Sequence, residues 1–315
     1  MARRLLDAGE TLVVWNRTAS KGDALAAEYG TERVVVAAAP SEVVELVGVD
    51  GMTFSMLSTP SVSRAVFRRA DGTGTCDGLE RVGGARTTLI DCATLEERDM
   101  VDFAAHVTAA GARFLEAPVS GSKVPAATGQ LVFLAAGDRA AFEDAAPRLA
   151  AMGKASLFLG EAVGRGTRMK LAVNMTMGTM MASLAEGIAL AHRLELDPRA
   201  FVDVLGMGAM ASPLVAAKGA NICAVDGAQR DHAPHFPLKH AQKDVAFALR
   251  AFASAPAAPA AAAAPSTDGA RSPAAALPLA AATDALMRAA MELDGGALAD
   301  ADFSALSEAL LRRPR

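Results

Sequence analysis

Residues 2–18 read ARRLLDAGETLVVWNRT, and this stretch decides the fold. ARRLLDA reads as the end of an amphipathic helix closed by Gly9 as its C′ residue. Thr11 to Trp15 is a β-rich run that ends in Asn16-Arg17-Thr18. In a doubly wound dinucleotide fold, a first strand and a G-x-G-x-x-G turn precede such a helix, and the second strand follows it. The residues after the second strand meet the adenosine ribose, where an acid selects NAD and an arginine accommodates the 2′-phosphate of NADP. Asn16, Arg17 and Thr18 are therefore expected to bind NADPH. Nothing ahead of Met1 supplies the first strand or its glycines. A strand of ~5–6 residues plus the fingerprint amounts to about a dozen residues, so Met1 is expected to be an internal methionine. DGTGTCDG, from Asp71 to Gly78, does not lie between a strand and a helix and reads as a flexible loop.

Outward from this stretch, short β-rich runs alternate with helical ones. Helices are expected at Asp23–Tyr29, Pro40–Val47 and Leu95–Gly111, and strands at Arg33–Ala37, Gly51–Leu57 and Thr87–Asp91. That alternation predicts a parallel sheet with crossover helices, whose ligands sit outside the carboxyl ends of the strands. Leu57, Ser58, Thr59, Pro60 and Thr94 fall there, although Ser and Thr are also ordinary turn and N-cap residues. RFLEAPVSG, QLVFLAAGD, a helix over Arg139–Met152 and ASLFLG close this domain, expected to span residues 1–163. From Gly166 onward the β-rich runs stop. Thr167–Leu194 reads as one long helix, apolar on most sides, with its methionines as core filler. Further helices are expected at Pro198–Leu205, Ser212–Lys218, Leu238–Phe252 and near Ala301–Leu311. Residues 164–315 thus form a helical domain, broken by an Ala/Pro-rich insertion over about 254–276 that reads as disordered.

With 315 residues the chain is long enough for one large or two ordinary domains, each able to bury a core. Its composition is 52% apolar, largely through alanine, yet no run reaches the ~20 residues of a membrane span. A net charge of −4 leaves no basic footprint for nucleic acid. Cys76, Cys92 and Cys223 are widely spaced and odd in number, which fits a reducing environment without a disulfide framework or zinc site. The histidines form no metal-ligand spacing, so no metal is expected. MARRLLDAGE has no apolar core for a secretory signal.

EAPVSGSKVPAATGQ (Glu116–Gln130) and GRGTRMKLAVN (Gly164–Asn174) carry the chemistry. Ser120, Gly121 and Ser122 can aim hydroxyls and backbone N–H groups at a carboxylate. Lys170 and Asn174 stand four apart on one helix face. A lysine in the first turn is disfavoured by the helix dipole, so a structural role explains it poorly. An ammonium there can stabilise and protonate a developing alkoxide. Asn174 could orient Lys170 or bond the substrate. Lys123 reads as a surface charge.

In this order, DCATLEE, APVSGSK, G-x-G-x-x-x-K-L-x-x-N and FPLKHxxKD resemble the β-hydroxyacid dehydrogenase family, over nearly the whole chain. LGMGAMASPL (Leu205–Leu214) is most similar to its plant-type NADPH-dependent glyoxylate/succinic semialdehyde reductase branch. The resemblance implies a Rossmann-type domain followed by an all-α domain, and reduction of a small aldehyde acid with Lys170 as proton donor. Glyoxylate would give glycolate, and succinic semialdehyde would give 4-hydroxybutyrate. By resemblance Phe236 walls the substrate, Lys243 reaches the cofactor and Asp244 supports the site, although Lys243-Asp244 alone reads as a pair on a solvated helix face. The family usually has Ser where Ala93 stands, and a much shorter connection where the Ala/Pro insertion lies. The alternatives are a 3-hydroxyisobutyrate or tartronate semialdehyde dehydrogenase, or a non-catalytic member. The long helix suggests a homo-oligomer through the helical domain. The expected location is cytoplasmic or organellar (plastid or mitochondrion), with any targeting segment upstream of Met1.

Overall fold

The computed structural model describes residues 1–83, 86–223, 232–255 and 277–312. It divides into two compact units, Met1–Lys170 and Leu171–Arg315. The first begins with α1 (Ala2–Asp7), β1 (Leu12–Val14), α2 (Ser20–Tyr29), β2 (Val34–Val36), α3 (Pro40–Val47) and β3 (Met52–Ser55). It continues with α4 (Pro60–Phe67), α5 (Thr75–Val82), β4 (Thr88–Asp91), α6 (Glu97–Ala109) and β5 (Arg113–Glu116). β6 (Val119–Ser120), α7 (Lys123–Thr128), β7 (Leu131–Gly137), α8 (Arg139–Met152) and β8 (Gly153–Phe158) close it.

β3, β4 and β5 are parallel, β7 runs antiparallel to β5 and β6, and β8 pairs parallel with β7. Every residue of β4 is buried, the pattern of a central strand covered on both faces. β1 and β2 pair parallel with each other in a separate two-stranded sheet. This is a Rossmann-type arrangement in which, among the described residues, no strand pairs between β1 and β3. Local signals fix the helix ends. Thr59 caps α4 by accepting from the Val62 N–H at 3.3 Å, and Asp138 caps α8 by accepting from Ala141 at 2.7 Å. The Asp71–Gly78 segment departs from its reading as a loop: α5 starts at Thr75, because Asp77 Oδ2 accepts the Gly74 N–H at 2.8 Å and anchors the first turn.

α9 (Arg165–Arg193) leads into the helical unit, followed by α10 (Pro198–Met207), α11 (Pro213–Ile222), α12 (Leu238–Ser254) and α13 (Pro278–Glu292). Two 3₁₀ segments, Leu293–Asp300 and Phe303–Ser307, precede α14 (Glu308–Leu311). α13 adds to the helices expected from the sequence; Pro278 occupies its first turn, where no N–H is needed. The helix expected near Ala301–Leu311 is mostly 3₁₀, since Asp302 turns its carboxylate onto the Ser304 N–H. α12 runs through Ser254, the first residue of the expected insertion, while 256–276 lie outside the described residues. α9 is not apolar-buried all round. Met181 is fully buried, but Met169, Met180 and Leu190 are exposed, so only part of its methionine set fills core. The helical core gathers Met181, Ala185, Ile188, Leu238, Val245, Met287 and Leu306.

At the end of β4, Asp91 is completely buried and accepts the Ala93 N–H at 2.7 Å through Oδ1. Its Oδ2 has no hydrogen-bond partner among the described residues. Burial pushes the Asp91 carboxyl up to about 7, against the pull of the Ala93 amide. The unfolded chain ionises this group near its ordinary value while the folded chain holds the proton, so ionisation opposes folding as pH rises from about 4 to about 7. Asp91→Asn keeps the Oδ1 acceptor and removes that opposition. It is expected to stabilise the protein by about 1–3 kcal/mol at pH 8 and hardly at all at pH 4, as read from denaturant midpoints at the two pH values.

Candidate active site

The N-terminus of α9 is built around one carboxylate. Glu116, at the end of β5, is fully buried. Its Oε1 accepts the N–H groups of Gly164 at 2.6 Å and Gly166 at 2.9 Å, and its Oε2 accepts the N–H of Thr167 at 3.2 Å and the hydroxyl of Thr167 at 2.7 Å. A helix start leaves its first N–H groups without intrahelical partners and carries partial positive charge, so a carboxylate there satisfies both needs. Burial raises the Glu116 carboxyl, while these donors pull it the other way. On the surface, Arg168 forks onto Glu97 at the start of α6, with Nε 2.7 Å from Oε2. Gly166 is required by contact: a Cβ there would lie 2.2 Å from the Leu134 carbonyl oxygen of β7. The spacing G-x-G-x-x-x-K thereby gains a structural meaning, because the two glycines let the chain close on Glu116 before the lysine arrives.

Lys170 follows in the second turn of α9, one turn further in than expected, because the helix starts at Arg165. Its side chain is buried, with 6% of the residue exposed. In the same unit Ser120 ends β6, and Gly121 takes φ +128°, a conformation open to glycine. Ser122 leads into α7, whose first residue is the exposed Lys123.

In the helical unit, Asn174 donates from Nδ2 to Asp244 Oδ2 at 2.7 Å, and Lys243 Nζ lies 2.9 Å from Asp244 Oδ1. Asp244 is buried, which overturns the solvated-pair reading of Lys243-Asp244: α12 turns this face inward, and the Lys243 ammonium stacks 4.8 Å from the Phe247 ring centroid. Asn174 thus reaches a carboxylate on α12. Phe236 is half-buried in the approach to α12. A buried carboxylate that sequence reasoning missed, Asp302, holds that approach by accepting the His235 and Phe236 N–H groups at 3.1 and 3.2 Å and Lys218 Nζ at 2.8 Å. Although burial opposes it, Lys218 and the amides hold Asp302 below the usual carboxylate range. Its signal in the sequence is an Asp directly ahead of the short FSALS stretch, which it caps.

The expected cofactor contacts divide. Asn16, Arg17 and Thr18 lie at the carboxyl end of β1, where Asn16 Nδ2 bonds the Thr18 carbonyl at 3.0 Å. With Leu57, Ser58 and Lys21 they line a cavity of about 1040 Å³. Among the described residues neither Arg17 nor Lys21 has an ion-pair partner, which suits an anionic ligand. Pro60 and Thr94 do not line this cavity; Pro60 is the first residue of α4. These residues fit the adenosine end of a dinucleotide. Among the described residues, no group of three or more His, Cys, Asp or Glu could hold a metal ion, and no helix is long and apolar enough to cross a membrane.

Residues 1–163 match the NAD binding domain of 6-phosphogluconate dehydrogenase, and residues 164–267 match the NAD-binding domain of NADP-dependent 3-hydroxyisobutyrate dehydrogenase. The chain belongs to the β-hydroxyacid dehydrogenase family. Among its relatives in this family, glyoxylate/succinic semialdehyde reductase 2, chloroplastic, of Arabidopsis thaliana is 38% identical over 98% of this chain and 75% of the relative. Glyoxylate/succinic semialdehyde reductase 1 of the same plant is 39% identical over 79% of this chain and 80% of the relative. The crystal structure of 3-hydroxyisobutyrate dehydrogenase from Salmonella typhimurium shares the fold, with a TM-score of 0.75 at 23% identity, over 98% of this chain and 94% of that one. As a family member, the protein is a dehydrogenase of hydroxy acids that acts on CH–OH groups with NADP(H) as its cofactor.

Removing the Glu116 carboxylate is expected to be costly. Glu116→Ala strands buried donors at the start of α9 and should lower stability by about 3–5 kcal/mol. Gly166→Ala should cost more than about 2 kcal/mol, because the Leu134 carbonyl is backbone and cannot step aside. Urea midpoints at constant slope would register both losses; a midpoint of Gly166→Ala equal to wild type would contradict the close approach.

Proposed function

We propose that the protein reduces small aldehyde acids, glyoxylate to glycolate and succinic semialdehyde to 4-hydroxybutyrate, at the expense of NADPH. The observation that carries this reading is a buried lysine on the helix whose start is fastened by Glu116. Two related plant reductases named for these substrates support it. Asn16, Arg17, Thr18, Leu57 and Ser58 would hold the adenosine end of the cofactor, with Pro60, Thr94 and Lys243 as further contacts. When bound, the nicotinamide supplies the hydride that the carbonyl carbon accepts.

The protein's own residues do the rest. Ser120 and Ser122 hydroxyls, with the Gly121 amide, bind the substrate carboxylate. Phe236 covers the substrate's carbon chain. The Lys170 ammonium stabilises the charge that develops on the carbonyl oxygen and donates a proton to it, leaving a neutral amine that is reprotonated from solvent. Asn174, tied to Asp244, shares a helix face with Lys170 one turn away and orients the reacting oxygen, while Asp244 supports the site electrostatically.

Lys170→Ala is expected to lower kcat for glyoxylate by about 10²–10³-fold, the scale of losing one transition-state donor, with the folded state retained. A variant that keeps most of its kcat would remove Lys170 from the chemistry. Arg17→Asp should shift cofactor choice from NADPH toward NADH, measured as the ratio of kcat/KM for the two cofactors.

The helical unit also exposes Val173, Leu190, Val204 and Met207, the last at 80%. Such apolar side chains support self-association through this unit. Met207→Lys together with Val204→Lys is expected to lower the mass measured by light scattering; an unchanged mass would move the interface elsewhere. The chloroplastic relative supports an organellar location.

A further inference from the structure

The cavity of about 1040 Å³ at the carboxyl end of β1 carries more positive charge than Arg17 and Lys21 supply. Arg68 and Arg69, from the end of α4, also line it, and the only acid among its lining residues is Asp71. The whole chain has the opposite balance, with a net charge of −4. A local excess of cations on an acidic protein concentrates anionic ligands at that place. The three arginines around the end of α4 differ in what they hold. Arg64 pairs with the buried Asp99 of α6. Arg69 lies with Nε and Nη2 at 3.3 and 3.1 Å from the two oxygens of Asp71, and Asp71 also accepts the Thr73 N–H at 3.1 Å and the Thr73 hydroxyl at 2.6 Å. The Thr73 hydroxyl and Arg69 hold the Asp71 carboxyl below its usual range, so this carboxylate is already engaged. Arg68 is uncommitted. It caps α4 with an extended backbone, φ −130° and ψ 119°, and its N–H donates to the Arg64 carbonyl at 3.1 Å. Its exposed guanidinium has no ion-pair or hydrogen-bond partner among the described residues. Burial pushes the nearby Cys76 thiol up to about 11, and the Arg68 charge acts in the other direction, which places the guanidinium on the α5 side of the cavity.

We infer that Arg68 is a further determinant of cofactor choice, closing on the 2′-phosphate of NADP(H) from the α4 side while Arg17 and Lys21 hold it from the side of β1 and α2. The inference rests on the assignment of this cavity to the adenosine end of the cofactor. Three uncommitted cations match a phosphate monoester, which carries close to two negative charges at neutral pH and offers three terminal oxygens. The ribose diol of NAD is neutral and would leave all three cations unpaired. A guanidinium can also engage two phosphate oxygens at once, which an ammonium cannot do with a fixed geometry. The rest of the cavity separates by chemistry. Val62 and Val66 of α4, with Pro40 and Val43 of α3, form an apolar strip that suits the flat adenine ring. Arg68 stands just past that strip on the same helix, at the end where a charged substituent of the ribose can be met without burying the cation. Arg68 lies outside every motif quoted from the sequence, so its part in cofactor choice is visible only once α4 is folded against the cavity.

The test reads binding and not turnover, through a reporter the chain already carries. Trp15, its single tryptophan, lines the same cavity. Trp15 fluorescence is followed while 2′,5′-ADP, the phosphorylated adenosine end of NADP, or 5′-AMP, the matching fragment of NAD, is titrated into wild type, Arg68→Ala and Arg68→Gln at one ionic strength. Arg68→Ala is expected to weaken 2′,5′-ADP by about tenfold or more, the scale of a lost hydrogen bond to a charged group, and to change 5′-AMP by less than about twofold. Arg68→Gln keeps most of the stem without the charge and should show the same loss, which keeps the measurement decisive should the Ala variant fail to fold. Equal weakening of both nucleotides would put Arg68 on the adenine or the ribose and overturn the inference. Binding of 2′,5′-ADP as tight in the folded variants as in wild type would overturn it as well. Wild-type protein that binds neither nucleotide would refute the adenosine assignment of the cavity itself, and the inference would fall with it.

Discussion

Four donors converge on the buried carboxylate of Glu116, and the placement of Lys170 depends on that convergence. β5 delivers the carboxylate to the carboxyl edge of the sheet. The chain after β8 wraps back so that its Gly164, Gly166 and Thr167 amides, with the Thr167 hydroxyl, meet it. A helix of 29 residues therefore starts at a fixed point on the sheet. The cost of burying the charge is offset by four hydrogen bonds and by the positive end of the helix dipole. The glycine at 166 is the steric condition for this arrangement, because any side chain there meets the Leu134 carbonyl.

A second buried acid plays a similar part in the helical unit. Asp302 collects Lys218, two amides of the loop before α12 and the Ser304 amide, and so fixes Phe236 and the start of α12. On α12 itself Asp244 joins Asn174 to Lys243. In each unit a buried carboxylate anchors the chain next to residues expected to touch ligand: Glu116 at the start of α9, Asp302 at Phe236, and Asp244 at Asn174 and Lys243. Such supporting groups keep side chains within the small tolerance that proton transfer needs.

The fold was legible in sequence where periodicity and turn chemistry agree. Pro40–Val47 and Arg139–Met152 appear with the expected bounds, because Pro at a first turn and Asp138 as a cap mark their starts. The family was legible through the joint order of DCATLEE, APVSGSK and the lysine motif, and the cofactor class through Asn16-Arg17-Thr18 after a β-rich run. Other features were not. α5 begins inside a Gly-rich stretch because a side-chain cap from Asp77 outweighs the poor helix propensity of glycine, and that cap is a three-dimensional fact. The Lys243-Asp244 pair reads as solvated in one dimension, since only the packing of α12 shows which face is inside. Glu116 stood in a quoted motif and went unrecognised, since its partners lie about fifty residues downstream. Asp302 was hidden for the same reason, as were the 3₁₀ segments around it.

Energetic coupling between Glu116 and Thr167 tests the account at its centre. A double-mutant cycle of Glu116→Gln and Thr167→Val, read as unfolding free energies from urea titration, isolates the contact between the Thr167 hydroxyl and the carboxylate. A hydrogen bond to a buried charge predicts a coupling of about 1.5–3 kcal/mol. Effects that add to within ~0.3–0.5 kcal/mol would mean that the carboxylate does not hold the start of α9, and the placement of Lys170 would need another explanation.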